Sequence, residues 1–166
     1  MSIGFCLKRP HFQASENLNS KQSCCFAANL YIFVKRHLIY MEKTIIKTDQ
    51  APAPIGPYNQ AIMANGMLFI SGQIAIVPAT GQLLQNTIEE EAKQVMLNLQ
   101  AILKNAGMGF EHVVKTTIFL SDMALFTKIN PIYGQFFSSN FPARETVAVK
   151  GLPLNANIEI SMIAMK

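Results

Sequence analysis

Thr87-Ile-Glu-Glu-Glu-Ala-Lys-Gln-Val-Met-Leu-Asn-Leu-Gln-Ala-Ile-Leu-Lys-Asn-Ala-Gly107 is the stretch on which the fold turns. A threonine with Glu90 three residues on is a capping box, and Glu89, Glu90 and Glu91 suit the positive end of a helix. Ile88, Ala92, Val95, Leu99, Ile102, Leu103 and Ala106 then recur at helical spacing, and Gly107 ends the run. The spacing predicts one amphipathic helix with a single apolar stripe. Such a stripe must be buried, and the flanking segments supply the partner. Downstream, Val113–Leu120 reads as a strand. Upstream, Met67–Ile76 reads as another, with Gly72 marking a bulge or a close approach to the backbone. Lys43–Thr48 is a short β-branched run. The segment 51–57, with three prolines and a glycine, must be an extended or turning loop, and 78–81 is a turn.

Beyond the strand, residues 122–140 form a second helical segment. Pro131 should break a continuous helix, so Asn130-Pro131 reads as the cap and first turn of a restart that buries Tyr133, Phe136 and Phe137. Residues 146–149 and 158–165 close the chain as strands. The order predicts an α+β domain over residues 41–166: a single mixed sheet with two helices packed on one face. The other face is then bare. Ile158, Ile160 and Met162 alternate with Glu159 and Ser161 on the last strand, so both faces need a reading; a bare apolar sheet face is an association surface, and a homo-oligomer packed through it is expected.

The first 40 residues differ in kind. They hold five basic side chains and one acidic, whereas residues 41–166 hold nine of each. The basic pI is thus no sign of a nucleic-acid face on the body. All three cysteines (Cys6, Cys24, Cys25) lie in this segment, which excludes a disulfide scaffold or a thiol nucleophile from the body. Lys35, Arg36 and His37 follow the apolar run 26–34, where a signal peptide would carry small residues. Residues 1–40 are read as an upstream extension outside the fold, disordered or foreign to the native chain, with a targeting role as the second reading. With no apolar run near the ~20 residues that span a bilayer, no membrane partner is expected and the compartment is read as cytoplasmic.

Several chemistries lack their residues. His112 is the one histidine of the body, so no metal site is expected, and neither a Walker loop, a G-x-G-x-x-G fingerprint nor a G-x-S-x-G elbow is present. What remains is polar residues in apolar frames. Arg144 is the only arginine after residue 40 and follows Phe141-Pro142-Ala143; arginine grips a carboxylate through two parallel hydrogen bonds. Glu159 stands between Ile158 and Ile160, where apolar surroundings can raise its proton affinity and fit it for acid–base work. Tyr58 follows the proline-rich loop, and Ser71-Gly72-Gln73 interrupts a strand. Each also has a plain structural reading: a solvated strand edge, an alternating exposed position, a core cap, a satisfied loop.

Five blocks in order, Ile55-Gly-Pro-Tyr-Asn-Gln60, Ile70-Ser-Gly-Gln73, Val114-Lys-Thr-Thr-Ile-Phe-Leu120, Phe141-Pro-Ala-Arg144 and Ile158-Glu-Ile160, resemble the reactive intermediate deaminase family (RidA or YjgF, long labelled L-PSP endoribonuclease). The resemblance spans residues 42–165. It implies a chorismate-mutase-like fold, a homotrimer with clefts between subunits, and hydrolysis of enamines and imines such as 2-aminoacrylate and 2-iminobutanoate to 2-oxo acids and ammonia. That is a 2-iminobutanoate/2-iminopropanoate deaminase, a hydrolase acting on C=N in amino-acid metabolism, with no cofactor. By motif, Arg144 is similar to the arginine that binds the substrate carboxylate, and Glu159 to the glutamate that orients the attacking water. Tyr58, Ser71 and Asn130 resemble cleft-lining residues, and Gly72 would let substrate approach the backbone. Many members carry cysteine two residues after the arginine; here that substrate-binding position is Thr146. Two other readings stand beside deamination: a regulatory trimer that holds a small carboxylate without turnover, and a ribonuclease, which the neutral body disfavours.

Overall fold

The computed structural model describes residues 42–166, and the readings made for residues 1–40 lie outside them. Six strands form one mixed sheet: β1 (Lys43–Ile46), β2 (Ala61–Ala64), β3 (Met67–Gln73), β4 (Val113–Leu120), β5 (Ala143–Ala148) and β6 (Ile158–Met165), in the spatial order β1-β2-β3-β6-β4-β5. Neighbours are antiparallel except β4 and β5, which run parallel. A parallel pair needs a crossover, and helix α2 (Phe126–Gly134) supplies it. Helix α1 (Ile88–Asn105) connects β3 to β4, and the C-terminal strand β6 fills the place between those two.

The capped helix forms as its sequence predicts. Thr87 Oγ1 accepts the Glu90 N–H at 3.2 Å, and Gly107 takes φ +69° just past the end. Val95, Met96, Leu99, Ile102 and Leu103 are fully buried against the sheet. Facing them are Leu68, Ile70, Ile118, Leu120, Ile158, Ile160, Met162 and Ala164, every second residue of their strands. Both helices join this one core.

Three expectations need correction. Pro131 does not divide the second helix, because α2 runs through it. The lost hydrogen bond would have gone to the Thr127 carbonyl, and both residues are exposed, so that acceptor lies where solvent can satisfy it. The helix ends at Gly134, so Phe136 and Phe137 lie past it while still packing edge-on to Phe110. Strand β2 had no counterpart in the sequence reading. Its signal is Asn65-Gly66, with φ of +50° and +76°, a two-residue hairpin turn between β2 and β3. Strand β5 begins at Ala143, three residues early, which places Arg144 on a strand.

The sheet face away from the helices carries Ile45, Phe69, Val147 and Met165, each more than 40% exposed, with Lys115, Thr117 and Ser161 among them. Lys115 pairs with Glu145 across the parallel strands, and Glu145 Oε1 accepts the Thr117 hydroxyl at 2.5 Å. These two contacts hold the Glu145 carboxyl below the usual range.

Candidate active site

Two depressions hold nearly all of the residues singled out from the sequence, and they lie apart. The first has a volume of about 470 Å³ and is lined by Asn130, Tyr133, Gly134, Phe141, Pro142 and Arg144. Arg144 faces Thr116 across the β4–β5 ladder and so shares its face, the helix side. There its guanidinium sits 4.9 Å from the Tyr133 ring centre and 5.6 Å from that of Phe126. The Tyr133 hydroxyl donates to Thr116 Oγ1 at 3.1 Å, which fixes the ring beneath the arginine. Burial raises the Tyr133 pKa, against the opposing pulls of Thr116 and Arg144, so the ring stays neutral. Arg144 itself is exposed, and among the described residues no carboxylate pairs with it. A guanidinium oriented by two rings and left without a counter-ion is prepared for an external anion. Asn130 Oδ1, in the same depression, is buried without a hydrogen-bond partner, and so is Thr146 Oγ1, two residues beyond Arg144 on β5. Thr146 lines neither depression.

The second depression, about 320 Å³, is lined by Ile55, Tyr58, Ser71, Gly72, Ile74, Pro153 and Glu159. Gln60 holds the loop that carries Ile55 and Tyr58. It is buried, accepts the Thr48 N–H at 2.8 Å, and donates to the carbonyls of Pro52, Thr48 and Ala51 at 2.8, 2.9 and 3.1 Å. That clamp tethers the proline-rich loop. The Tyr58 hydroxyl then accepts the Ile55 N–H at 3.2 Å, and Ser71 Oγ donates to the Asn59 carbonyl at 2.7 Å. Ser71 is thereby committed to the loop. Gly72 stands where the β3–β6 register shifts, and a Cβ there would lie 2.7 Å from Glu159 Cδ. The space above this glycine belongs to the Glu159 carboxyl. Half-buried beside Ile55, Ile74 and Pro153, that carboxyl has a raised pKa, and desolvation is the cause.

Glu159 pairs with Phe119 in the ladder, out of phase with the buried Ile158 and Ile160, and so faces away from the helices. Arg144 faces toward them. The two groups are also two strands and three residues apart, roughly 10 Å in each direction. One chain therefore carries the two candidate half-sites on opposite faces of its sheet.

Sequence reasoning missed Tyr133 and Phe126 as site residues. With Asn130 they stand at i, i+4 and i+7 on one helix face, a spacing that signals a shared neighbour. Among the described residues no three His, Cys, Asp or Glu side chains gather to hold a metal ion, and His112 Nδ1 is engaged locally, accepting the Gly109 N–H at 3.0 Å.

The family model described as Endoribonuclease L-PSP matches residues 48–166. The chain belongs to this family, the one that includes the RidA proteins. It is 46% identical over 124 residues to a human protein named 2-iminobutanoate/2-iminopropanoate deaminase, covering 75% of this chain and 90% of that one. It is 45% identical over 124 residues to the Arabidopsis thaliana protein named Reactive Intermediate Deaminase A, chloroplastic, covering 75% and 66%. Among solved structures, E. coli TdcF with bound serine superposes with a TM-score of 0.72 at 36% identity, covering 74% of this chain and 98% of that one. The L-PSP/RidA sheet and helices are thus common to both chains.

Proposed function

We propose that the protein is a deaminase that hydrolyses small 2-imino acids and their enamine tautomers to 2-oxo acids and ammonia. The carrying observation is the division of labour between the two half-sites: an unpaired guanidinium on one face and a carboxyl of raised proton affinity on the other. A homotrimer in which Arg144 of one subunit meets Glu159 of the next would complete the site, with the bare sheet face supplying the contact. The relatives named as deaminases support the same reaction.

The chemistry needs little else. Arg144 holds the substrate carboxylate through two hydrogen bonds, and Asn130 Oδ1, unpartnered in the same depression, can accept a hydrogen bond from the substrate's nitrogen. The imine carbon is electrophilic already. Glu159 takes a proton from a water as its oxygen bonds to that carbon and the C=N π pair moves to nitrogen. Glu159 then returns the proton to nitrogen, giving a carbinolamine; as its hydroxyl proton passes through Glu159 to the amine, the oxygen pair forms C=O, the C–N bond breaks, and ammonia leaves a 2-oxo acid. Tyr58, Ser71 and Gly72 shape the carboxyl's side of the cleft. Residues 41–166 are the catalytic domain on this reading, residues 1–40 an extension outside it, and the compartment is the cytoplasm.

The test couples the protein to a dehydratase that forms 2-iminobutanoate from threonine and follows ammonia release. Faster release than the uncatalysed rate is expected; an unchanged rate would leave the competing reading, a regulatory trimer that holds a small carboxylate without turnover, which TdcF with bound serine favours. The family's printed name keeps a ribonuclease in view. Nine basic and nine acidic side chains over residues 41–166 give no basic stripe for phosphates, and RNA cleavage that survived Arg144→Ala would be needed to support it.

A further inference from the structure

Glu91 is fully buried, yet no cation among the described residues pairs with it. Its two oxygens go to one residue. Oε1 accepts the Asn157 N–H at 2.7 Å, and Oε2 accepts Asn157 Nδ2 at 3.0 Å. The rest of Asn157 is taken by Ser121: its carbonyl accepts the Ser121 N–H at 3.0 Å, and its Oδ1 accepts the Ser121 hydroxyl at 3.0 Å. Both hydrogen-bonding groups of the Asn157 main chain and both ends of its amide are therefore held, from α1 on one side and from the end of β4 on the other.

A carboxyl is a costly way to fill a core position that an apolar side chain could occupy, so its retention needs a reason. The reason lies next along the chain. Asn157 precedes Ile158, fully buried, and then Glu159. Upstream is the turn Pro153–Asn155, in which Leu154 and Asn155 both have φ of +56°, a strained backbone for leucine. Gln85 Nε2 pins this turn through the Asn155 carbonyl at 2.8 Å. Pro153 and Glu159 line the same depression. A single anchor at Asn157 thus sets the position of the carboxyl and of the apolar wall opposite it.

We propose that Glu91 is a positioning residue for the deamination site, acting through Asn157 to hold Glu159 against its apolar wall. The inference rests on the reading of Glu159 as the water-activating group, and the experiment separates the two. Glu91→Gln keeps the size but offers one acceptor to two Asn157 donors. It should lower kcat about tenfold, leave KM nearly unchanged because the Arg144 half is untouched, and move the acid limb of the rate profile toward that of an ordinary glutamate. Loss of folded protein alone would not move that limb. Glu91→Gln with Asn157→Asp restores complementarity: the glutamine oxygen accepts the backbone N–H, its amide donates to the aspartate, and the second aspartate oxygen accepts from Ser121. This pair should recover most of kcat. If Glu91→Gln proved too unstable to assay, the pair and Ser121→Ala carry the test, the latter with a smaller fall in the same direction. Wild-type kcat and acid limb in Glu91→Gln, or in the Ser121→Ala fallback, would overturn the proposal, as would failure of the pair to recover activity. An equal fall on adding Glu91→Gln to Glu159→Gln would do so too. Full turnover in Glu159→Gln alone would instead refute the reading on which the proposal stands.

Discussion

Arg144 and Glu159 are each prepared by what lies beneath them. Two rings orient the guanidinium, and a missing side chain at Gly72 admits the carboxyl. Arg144→Lys keeps the charge but loses the planar fork, so it should be nearly as inactive as Arg144→Ala, with kcat/KM down about a hundredfold in both; steady-state kinetics on generated imine decides this. Gly72→Ala should abolish activity, because the new methyl takes the space of the Glu159 carboxyl and turns that flexible side chain away, while denaturant unfolding shows little loss of stability. The raised Glu159 pKa fixes two signs. A base at Glu159, as proposed, would work deprotonated, so the rate should fall as pH drops through a midpoint above 4.5, and Glu159→Gln should remove that limb. The folded state also binds this proton more tightly than the unfolded chain does, so the group's contribution to stability is lost as pH rises through its raised pKa. Glu159→Gln should accordingly be more stable than wild type at neutral pH, with the margin vanishing in acid. Both residues were visible in the sequence as lone polar groups in apolar frames, and the family motifs gave them roles. Tyr133 was read as core. It is core, being 4% exposed, and it is also the ring under the arginine; an apolar pattern cannot show that second use.

Helix α1 was legible because every local signal agreed: cap, acidic first turn, stripe and terminal glycine. Thr87→Ala should cost about 1 kcal/mol, seen as a Tm lower by roughly 3–5 °C with catalysis intact below the transition. The break expected at Pro131 was misjudged because the hydrogen bond a proline forfeits costs less where Thr127 and Pro131 are both exposed, and a nine-residue helix runs through it. Strand β2 was missed because four residues give too little alternation to register, although its Asn-Gly turn was in plain view. These two errors differ in kind. One misjudged where water reaches, and the other overlooked a turn whose backbone conformation few residues adopt.

At the scale of the molecule, the order of strands could not be read from the chain. The insertion of β6 between β3 and β4 brings residue 159 beside residue 72 and sends it to the face opposite Arg144. A homotrimer measured by light scattering is the expected assembly. Arg144→Ala and Glu159→Ala chains, each inactive, should regain activity when refolded together. About a quarter of the junctions in an equal mixture would join an intact guanidinium to an intact carboxyl. No recovery would place both groups of a working site on one chain.

On the proposed reading, a polypeptide that wears its anion receptor and its proton acceptor back to back owns both halves of a reaction vessel and can close neither alone. Diluted until its copies part, it should stay folded and fall silent. Turnover per chain then becomes a measure of how crowded the chains are, a threshold written into sheet geometry without any effector.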